Sequence, residues 1–233
     1  MSTDECLTMN GKFIVFEGVE GCGKTTQLQR TRQWLLKSGW LPTLQSKRFL
    51  KQLIATREPG GTDLGAGVRQ LLLNPAKELI HDRAELLLYA ADRAQHVEHF
   101  LRPHLAEGAM ILCDRYTDST IAYQGYGRGL DFALIDQLNQ MATQGLESDL
   151  TLWLDLDVKR GLARTQKRGA SDRIEQATLE FHQRVQQGFA DLAEKNPDRI
   201  VRIDADRSEL EVAEQIEAAL SQHLTRWYGG NFQ

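Results

Sequence analysis

The chain has 233 residues, with 28 lysines and arginines against 32 aspartates and glutamates, for a formal net charge of −4. That length suits one α/β domain with a sizeable core, and the mild acidity argues against a broad nucleic-acid or anionic-membrane surface, which needs a basic face. Cys6, Cys22 and Cys113 are widely spaced without metal-ligand spacing, as expected of reduced thiols in the cytoplasm, and no apolar run approaches the ~20 residues of a membrane span.

Residues 1–10, with the acidic start "MSTDECLT", lack the parts of a signal peptide and read as an N-terminal extension to a domain over 11–225. The apolar runs "KFIVF" (12–16), "AMILCD" (109–114), "LTLWLDLD" (150–157) and "RIVRID" (199–204) predict strands. Helical periodicity predicts helices near 25–38, 64–73, 82–107, 131–144, 158–168, 175–195 and 208–224. Strands alternating with helices imply a mainly parallel sheet covered on both faces, with ligands at the carboxyl ends of the strands. Residues 40–56, "WLPTLQSKRFLKQLIAT", fall where a second strand is due, yet they are basic and hydrophobic and suit a helix equally. The tail from 226 to 233, "RWYGGNFQ", carries no chemistry, and its Trp227 and Tyr228 read as packing residues.

The first strand runs into "FEGVEGCGKTT" (16–26), in which Gly18, Gly23, Lys24 and Thr25 fit the pattern G, four residues, G, K, then S or T. Glycines at 18, 21 and 23 let the backbone curl so that N–H groups point at phosphate oxygens, and the following helix adds its positive end. The ATP-binding loop is therefore placed at Gly18, Val19, Glu20, Gly21, Cys22, Gly23, Lys24, Thr25 and Thr26. Lys24 reaches the outer phosphates, and the Thr25 hydroxyl suits Mg²⁺, which binds oxygen ligands and bridges terminal phosphates. Asp114, ending the apolar strand "MILCD", is the second expected metal ligand. Cys22 reads as a small filler.

Loops of this kind serve switches, motors and small-molecule kinases. No guanine-reading Asn-Lys-x-Asp sequence follows a later strand. Arginine is supplied instead, by Arg57, Arg69, Arg93 and Arg115 near predicted strand ends or helix starts, and by a second group around "KRGASDR" (167–173). A phosphate monoester acceptor is already an anionic nucleophile, so the difficulty lies in bringing two anions together, which needs cations and positioning. Two arginine sets suit a nucleoside-monophosphate kinase.

"FEGVEGCGKTT", "TREPGGT", "LLLYAADRAQH", "DRYTDSTIAYQGYGRG" and "LDLDV…RGASDRIE" occur in the order found in thymidylate kinases, and the chain resembles that family over about residues 11–205. The resemblance implies a P-loop NTPase-type three-layer α/β fold with a five-stranded parallel sheet, a mobile lid near 160–175, and a homodimer. It implies transfer of the terminal phosphoryl of ATP to dTMP, giving dTDP on the way to dTTP. It puts Glu20 near the acceptor's 3′-hydroxyl, Arg93 near the thymine carbonyl, Arg69 and Arg115 on the acceptor phosphate, and Arg57 beside the acceptor. Tyr89 matches the aromatic stacked on thymine; Ser119, Thr120, Tyr123 and Gln124 surround the acceptor, with Tyr123 crowding the 2′ position. Some members carry an arginine in the phosphate loop. Here that position is Gly21, so Arg168 or Arg173 of the lid is expected to stabilise the transferring phosphoryl, alongside Lys24, Arg115 and Glu20. The segment between Gly39 and Thr56 is longer than in the family, an insertion. Kinases for another deoxynucleotide or a nucleoside, and a regulator without turnover, remain the alternatives on sequence grounds.

Overall fold

The structure, a computed structural model, describes residues 11–75, 79–167, 169 and 172–229. Five strands form one parallel sheet: β1 Lys12–Glu17, β2 Gln52–Arg57, β3 Ala109–Asp114, β4 Leu150–Asp155 and β5 Ile200–Asp204, in the order β2-β3-β1-β4-β5. This is the five-stranded α/β architecture that the resemblance implied.

Apolar side chains on both faces of the central strands explain their near-continuous hydrophobic runs. Phe13 and Val15 of β1 pack with Ile111, Cys113, Val97 and Leu101 on one face. Ile14 and Phe16 pack with Met110, Leu112, Leu152 and Leu154 on the other. Alternation along a strand thus builds two cores from one sheet. The chain places β3 on one side of β1 and β4 on the other, so the strand order reverses at β1, where crevices open beyond the carboxyl ends. Register sets Asp114 opposite both Phe16 of β1 and Arg57 of β2, so three strand ends meet there.

The ambiguous 40–56 segment is both things in turn. Helix α1, Lys24–Lys37, ends at Ser38; Gly39 then turns with φ 86° and α2, Trp40–Ser46, begins. Leu41 and Leu44 bury one side of α2 against α1, and β2 forms over Gln52–Arg57, where β-branched Ile54 and Thr56 fall. Phe49 then meets Tyr228 with ring centroids 5.5 Å apart, so this segment packs on the last helix.

Other helices are α3 Asp63–Leu73, α4 Asp82–His96, α5 Arg102–Ala106, α6 Thr117–Thr120, α7 Phe132–Thr143, α8 Val158–Gln166, α9 Leu179–Lys195 and α10 Glu209–Tyr228. Four boundaries differ from the sequence expectation. The helix expected over 82–107 widens into a π-turn at Val97–Leu101, just ahead of Pro103, whose ring cannot sit over a regular preceding turn. Strand β4 stops at Asp155 because Asp157 caps α8, accepting from the Arg160 amide. Helix α9 begins at Leu179 because Thr178 caps it. Helix α10 runs to Tyr228, so the tail boundary expected at 226 falls within a helix.

One helical stretch was missed: α6 and the π-turn Ile121–Gly127 that continues it. Thr, Ser, Ile and Gly favour helix poorly, but here burial against α9 prevails. A Cβ on Gly127 would lie 2.6 Å from Phe181, and one on Gly188 would lie 2.8 Å from Tyr126, so the glycines permit the contact. The extension over 1–10, with Cys6, lies outside the described residues.

Candidate active site

Between β1 and α1 the chain takes positive φ at Gly18 (142°), Gly21 (72°) and Gly23 (97°), conformations that glycine adopts without Cβ strain. Gly21 also packs directly on Gly161 of α8: a Cβ on either would collide with the other segment's backbone carbonyl, Gly161 O or Glu20 O. Val19 and Cys22 turn into the core, 2% and 3% exposed, so their part in the loop is played by their backbone. The thiols of Cys22 and Cys113 are free.

Glu20, Gly21, Gly23, Lys24, Thr25 and Thr26 face a cleft of about 750 Å³. The Lys24 ammonium donates to Gly18 O and Val19 O, both at 3.0 Å, which holds it at the mouth of the loop. Thr25 Oγ1 donates to Asp114 Oδ2 at 2.8 Å. A hydroxyl and a carboxylate oxygen so close fit a hard divalent cation. Among the described residues no group of three or more His, Cys, Asp or Glu could hold a metal by itself. An ion at Thr25 and Asp114 therefore needs phosphate and water oxygens to complete its shell, as Mg²⁺ does. His96 donates or accepts at Thr56 Oγ1 (2.8 Å) and Glu58 Oε1 (2.9 Å), a structural engagement.

A smaller pocket of about 80 Å³ adjoins the cleft, and Arg69, Tyr89, Arg93, Arg115, Ser119, Thr120, Tyr123 and Gln124 all line it. Glu20, Glu58, Arg69, Arg115 and Asp172 border both spaces. Arg57 lines only the cleft, exposed at the end of β2. The Arg69 guanidinium donates to Pro59 O at 3.0 Å, and its pKa is lowered by burial and by neighbouring Arg57. Arg93 is buried and donates from Nε to Glu58, from Nη1 to Thr120 Oγ1 and Asn139 Oδ1, and from Nη2 to Tyr116 O.

Arg115 is the hub. Its backbone sits in the left-handed region at φ 73°, uncommon for a side-chain-bearing residue and a mark of a position fixed by its surroundings. The guanidinium donates to Gly18 O (3.0 Å), Ser119 Oγ (3.1 Å), Glu20 Oε1 (2.5 Å) and Tyr123 OH (3.0 Å). Tyr123 OH in turn donates to Glu20 Oε1 at 2.9 Å. Burial alone would raise the Glu20 pKa, but Arg115, Lys24 and the Tyr123 hydroxyl hold it down at about 2. Glu17, three residues earlier, behaves oppositely. Burial raises it to about 7, against Arg115 and hydrogen bonds from Ser119 and the Tyr116 amide. Two carboxyls flanking one loop are thus driven apart in acidity by their surroundings.

Sequence reasoning missed Glu17, Glu85, Asn139, Asp172 and Ile174. Glu17 accepts from Tyr116 N (2.8 Å), Ser119 N (3.1 Å) and Ser119 Oγ (2.6 Å), fixing the chain after β3. A charged residue closing the apolar run "IVFE" was the available signal. Asp172 and Ile174 line the smaller pocket; they stand within the motif "RGASDRIE", where the arginines alone were singled out. Arg173 donates to Glu85 Oε2 (2.5 Å) and Leu72 O (2.8 Å) and borders neither space. Arg168 lies outside the described residues.

A phosphate-cradling loop with its lysine at the strand-order reversal, facing an arginine-lined pocket, defines a nucleoside-monophosphate kinase. The thymidylate kinase family model matches residues 16–216. The thymidylate kinase of Cyanothece sp. is 61% identical over 228 residues, covering 94% of this chain and 97% of that one. That of Nostoc punctiforme is 58% identical over 220 residues, covering 93% and 98%. The crystal structure of thymidylate kinase from Ehrlichia chaffeensis superposes with a TM-score of 0.71 at 34% identity, over 91% of this chain and 99% of that one. The chain belongs to the thymidylate kinase family. Among the described residues no helix is long and apolar enough to cross a membrane.

Proposed function

We infer that the chain transfers the terminal phosphoryl group of ATP to dTMP, giving dTDP and ADP. The observation that carries this reading is the shared wall of Glu20, Arg69 and Arg115 between the phosphate-loop cleft and the small pocket. Two phosphate-bearing ligands placed on either side would meet there.

The geometry and the family resemblance together support the following roles. Loop amides and Lys24 hold the donor phosphates, Lys24 exchanging its carbonyl contacts for phosphate oxygens. Thr25 and Asp114 would hold Mg²⁺. When bound, that ion neutralises charge on the donor's terminal phosphates. Arg115, Arg69 and Arg57 receive the acceptor phosphate, whose anionic oxygen attacks without a strong general base. Glu20, kept ionised, accepts a hydrogen bond from the acceptor's 3′-hydroxyl, and Tyr123 limits room at the 2′ position. Tyr89, Arg93, Thr120 and Gln124 border the base, with Ser119 holding Arg115 in place. Arg168 is the lid residue proposed to stabilise the transferring phosphoryl group, with Gly21 leaving the loop without its own arginine. A hollow of about 330 Å³ between Arg164 and Arg207, behind Gly21–Gly23, offers space for the donor's base.

The same reading includes a homodimer, supported by apolar side chains left exposed on α3, α4 and α7: Leu64, Leu87, Phe132 and Met141. It includes a reducing, cytoplasmic setting, supported by the free thiols of Cys22 and Cys113. The test is the stoichiometric appearance of dTDP and ADP from ATP, Mg²⁺ and dTMP. Equal amounts support the reading, and ADP without dTDP would reduce the protein to an ATPase.

A further inference from the structure

The lid was expected to send an arginine to the transferring phosphoryl, yet Arg173 is engaged elsewhere. Its amide donates to Leu73 O at 3.1 Å and its Nε to Leu72 O at 2.8 Å. These are carbonyls of the last turn of α3, which have no partner within the helix and attract positive charge. Its Nη2 donates to Glu85 Oε2 at 2.5 Å. Glu85 is wholly buried on α4 and also accepts from Gln124 Nε2 (2.8 Å), Arg128 Nε (3.2 Å) and Arg128 Nη2 (3.1 Å). Burial would raise its pKa, but the Arg128 hydrogen bonds and charge hold it below the usual carboxylate range.

Residues 172–177 form a hydrogen-bonded turn. Asp172 Oδ1 accepts from the amides of Ile174 and Glu175, both at 2.9 Å. The Gln176 amide donates to Asp172 O at 3.1 Å and the Ala177 amide to Ile174 O at 3.0 Å. Asp172 and Ile174 line the small pocket beside Gln124 and Tyr89, and Asp172 and Glu175 also line the phosphate-loop cleft. Ile174 is 4% exposed and belongs to the core.

We propose that Arg173 is a positioning residue: through Leu72, Leu73 and Glu85 it latches residues 172–177 in place as one wall of the acceptor pocket. Glu85 joins that wall to Gln124, which also lines the pocket, so docking of the lid and shaping of the pocket are one event. The proposal rests on the reading of the small pocket as the acceptor site. It assigns Arg173 to acceptor binding rather than to the transferring phosphoryl.

Two measurements on the full-length protein test it. In steady-state kinetics Arg173→Ala should raise KM for dTMP about tenfold, the scale of a lost charge-assisted contact. The kcat should stay within about threefold, KM for ATP should rise less than KM for dTMP, and Arg173→Lys, keeping charge but not the fork, should fall between. Native-state hydrogen exchange reads the latch without any substrate: the amides of Arg173, Gln176 and Ala177 should exchange at least about tenfold faster in Arg173→Ala, with β1 and α1 unchanged. A kcat loss near a hundredfold at unchanged KM for dTMP would overturn the proposal in favour of action on the phosphoryl. So would unchanged exchange, or faster exchange with unchanged KM. A wild type that makes no dTDP would instead sink the acceptor-site reading, and the exchange experiment would still decide the latch.

Discussion

Arg115 Nη2 donates to Glu20 Oε1 at 2.5 Å, tying the residue after β3 to the middle of the phosphate loop. The pair sits on the boundary between the two pockets, so each partner fixes the other where the proposed donor and acceptor sites adjoin. Glu20→Gln should shrink the enzyme's preference for dTMP over its 3′-deoxy analogue by about tenfold, the scale of a lost charged hydrogen bond. Comparing kcat/KM for the two acceptors checks this. Because the Glu20 pKa is lowered from 4.5 to about 2, its stabilising contribution is present above about pH 4.5 and fades only as pH falls toward 2. The acid limb of the rate profile above pH 5 should therefore be the same in Glu20→Gln.

Glu17 has the opposite sign. Between its ordinary 4.5 and its folded value of about 7, the folded chain keeps a proton that the unfolded chain has lost. Stability should therefore fall as pH rises across that window, by about 1–3 kcal/mol, and level off above it. Denaturant unfolding at intervals from pH 4.5 to 8 measures the slope. Glu17→Gln, which can still accept the Tyr116 and Ser119 amides, should flatten it; an unchanged slope would place the titrating group elsewhere.

Gly21 faces the Gly161 carbonyl at φ 72°. Gly21→Ala should cost about 2 kcal/mol or more, since both the conformation and the contact resist a Cβ. Activity should fall further than stability accounts for, because α8 and the phosphate loop separate. Unfolding midpoints with kcat on the same samples test both parts.

Thr25 and Asp114 supply only two protein oxygens, 2.8 Å apart. Asp114→Asn should raise the Mg²⁺ concentration needed for half-maximal rate by about tenfold or more. A Mg²⁺ titration at fixed ATP reads it directly. The same half-saturation in the variant would remove Asp114 from the metal site.

The sheet was legible because buried parallel strands are continuous apolar runs, and "KFIVF" and "AMILCD" are nothing else. The phosphate loop was legible because its glycines, Lys24 and Thr25 serve local geometry. Helix Thr117–Thr120 and the turn after it were not, since their residues disfavour helix and only burial on α9 makes them helical. Segment 40–56 carried two signals because it holds two elements. The partners of Arg173 were not legible because composition shows charge and not partner: it donates to Glu85, 88 residues away in sequence. Glu17 escaped notice because its partners, Tyr116 and Ser119, belong to a different strand end.

Phosphoryl transfer from ATP and Mg²⁺ to dTMP, dUMP, UMP, dCMP, AMP and GMP, followed in parallel as diphosphate formed, tests the central claim most directly. The pocket bordered by Tyr89, Arg93 and Tyr123 predicts clear preference for dTMP, with dUMP ahead of UMP. Preference for another monophosphate would contradict the acceptor assignment while leaving the phosphate-loop chemistry standing, and no diphosphate from any acceptor would contradict the kinase itself.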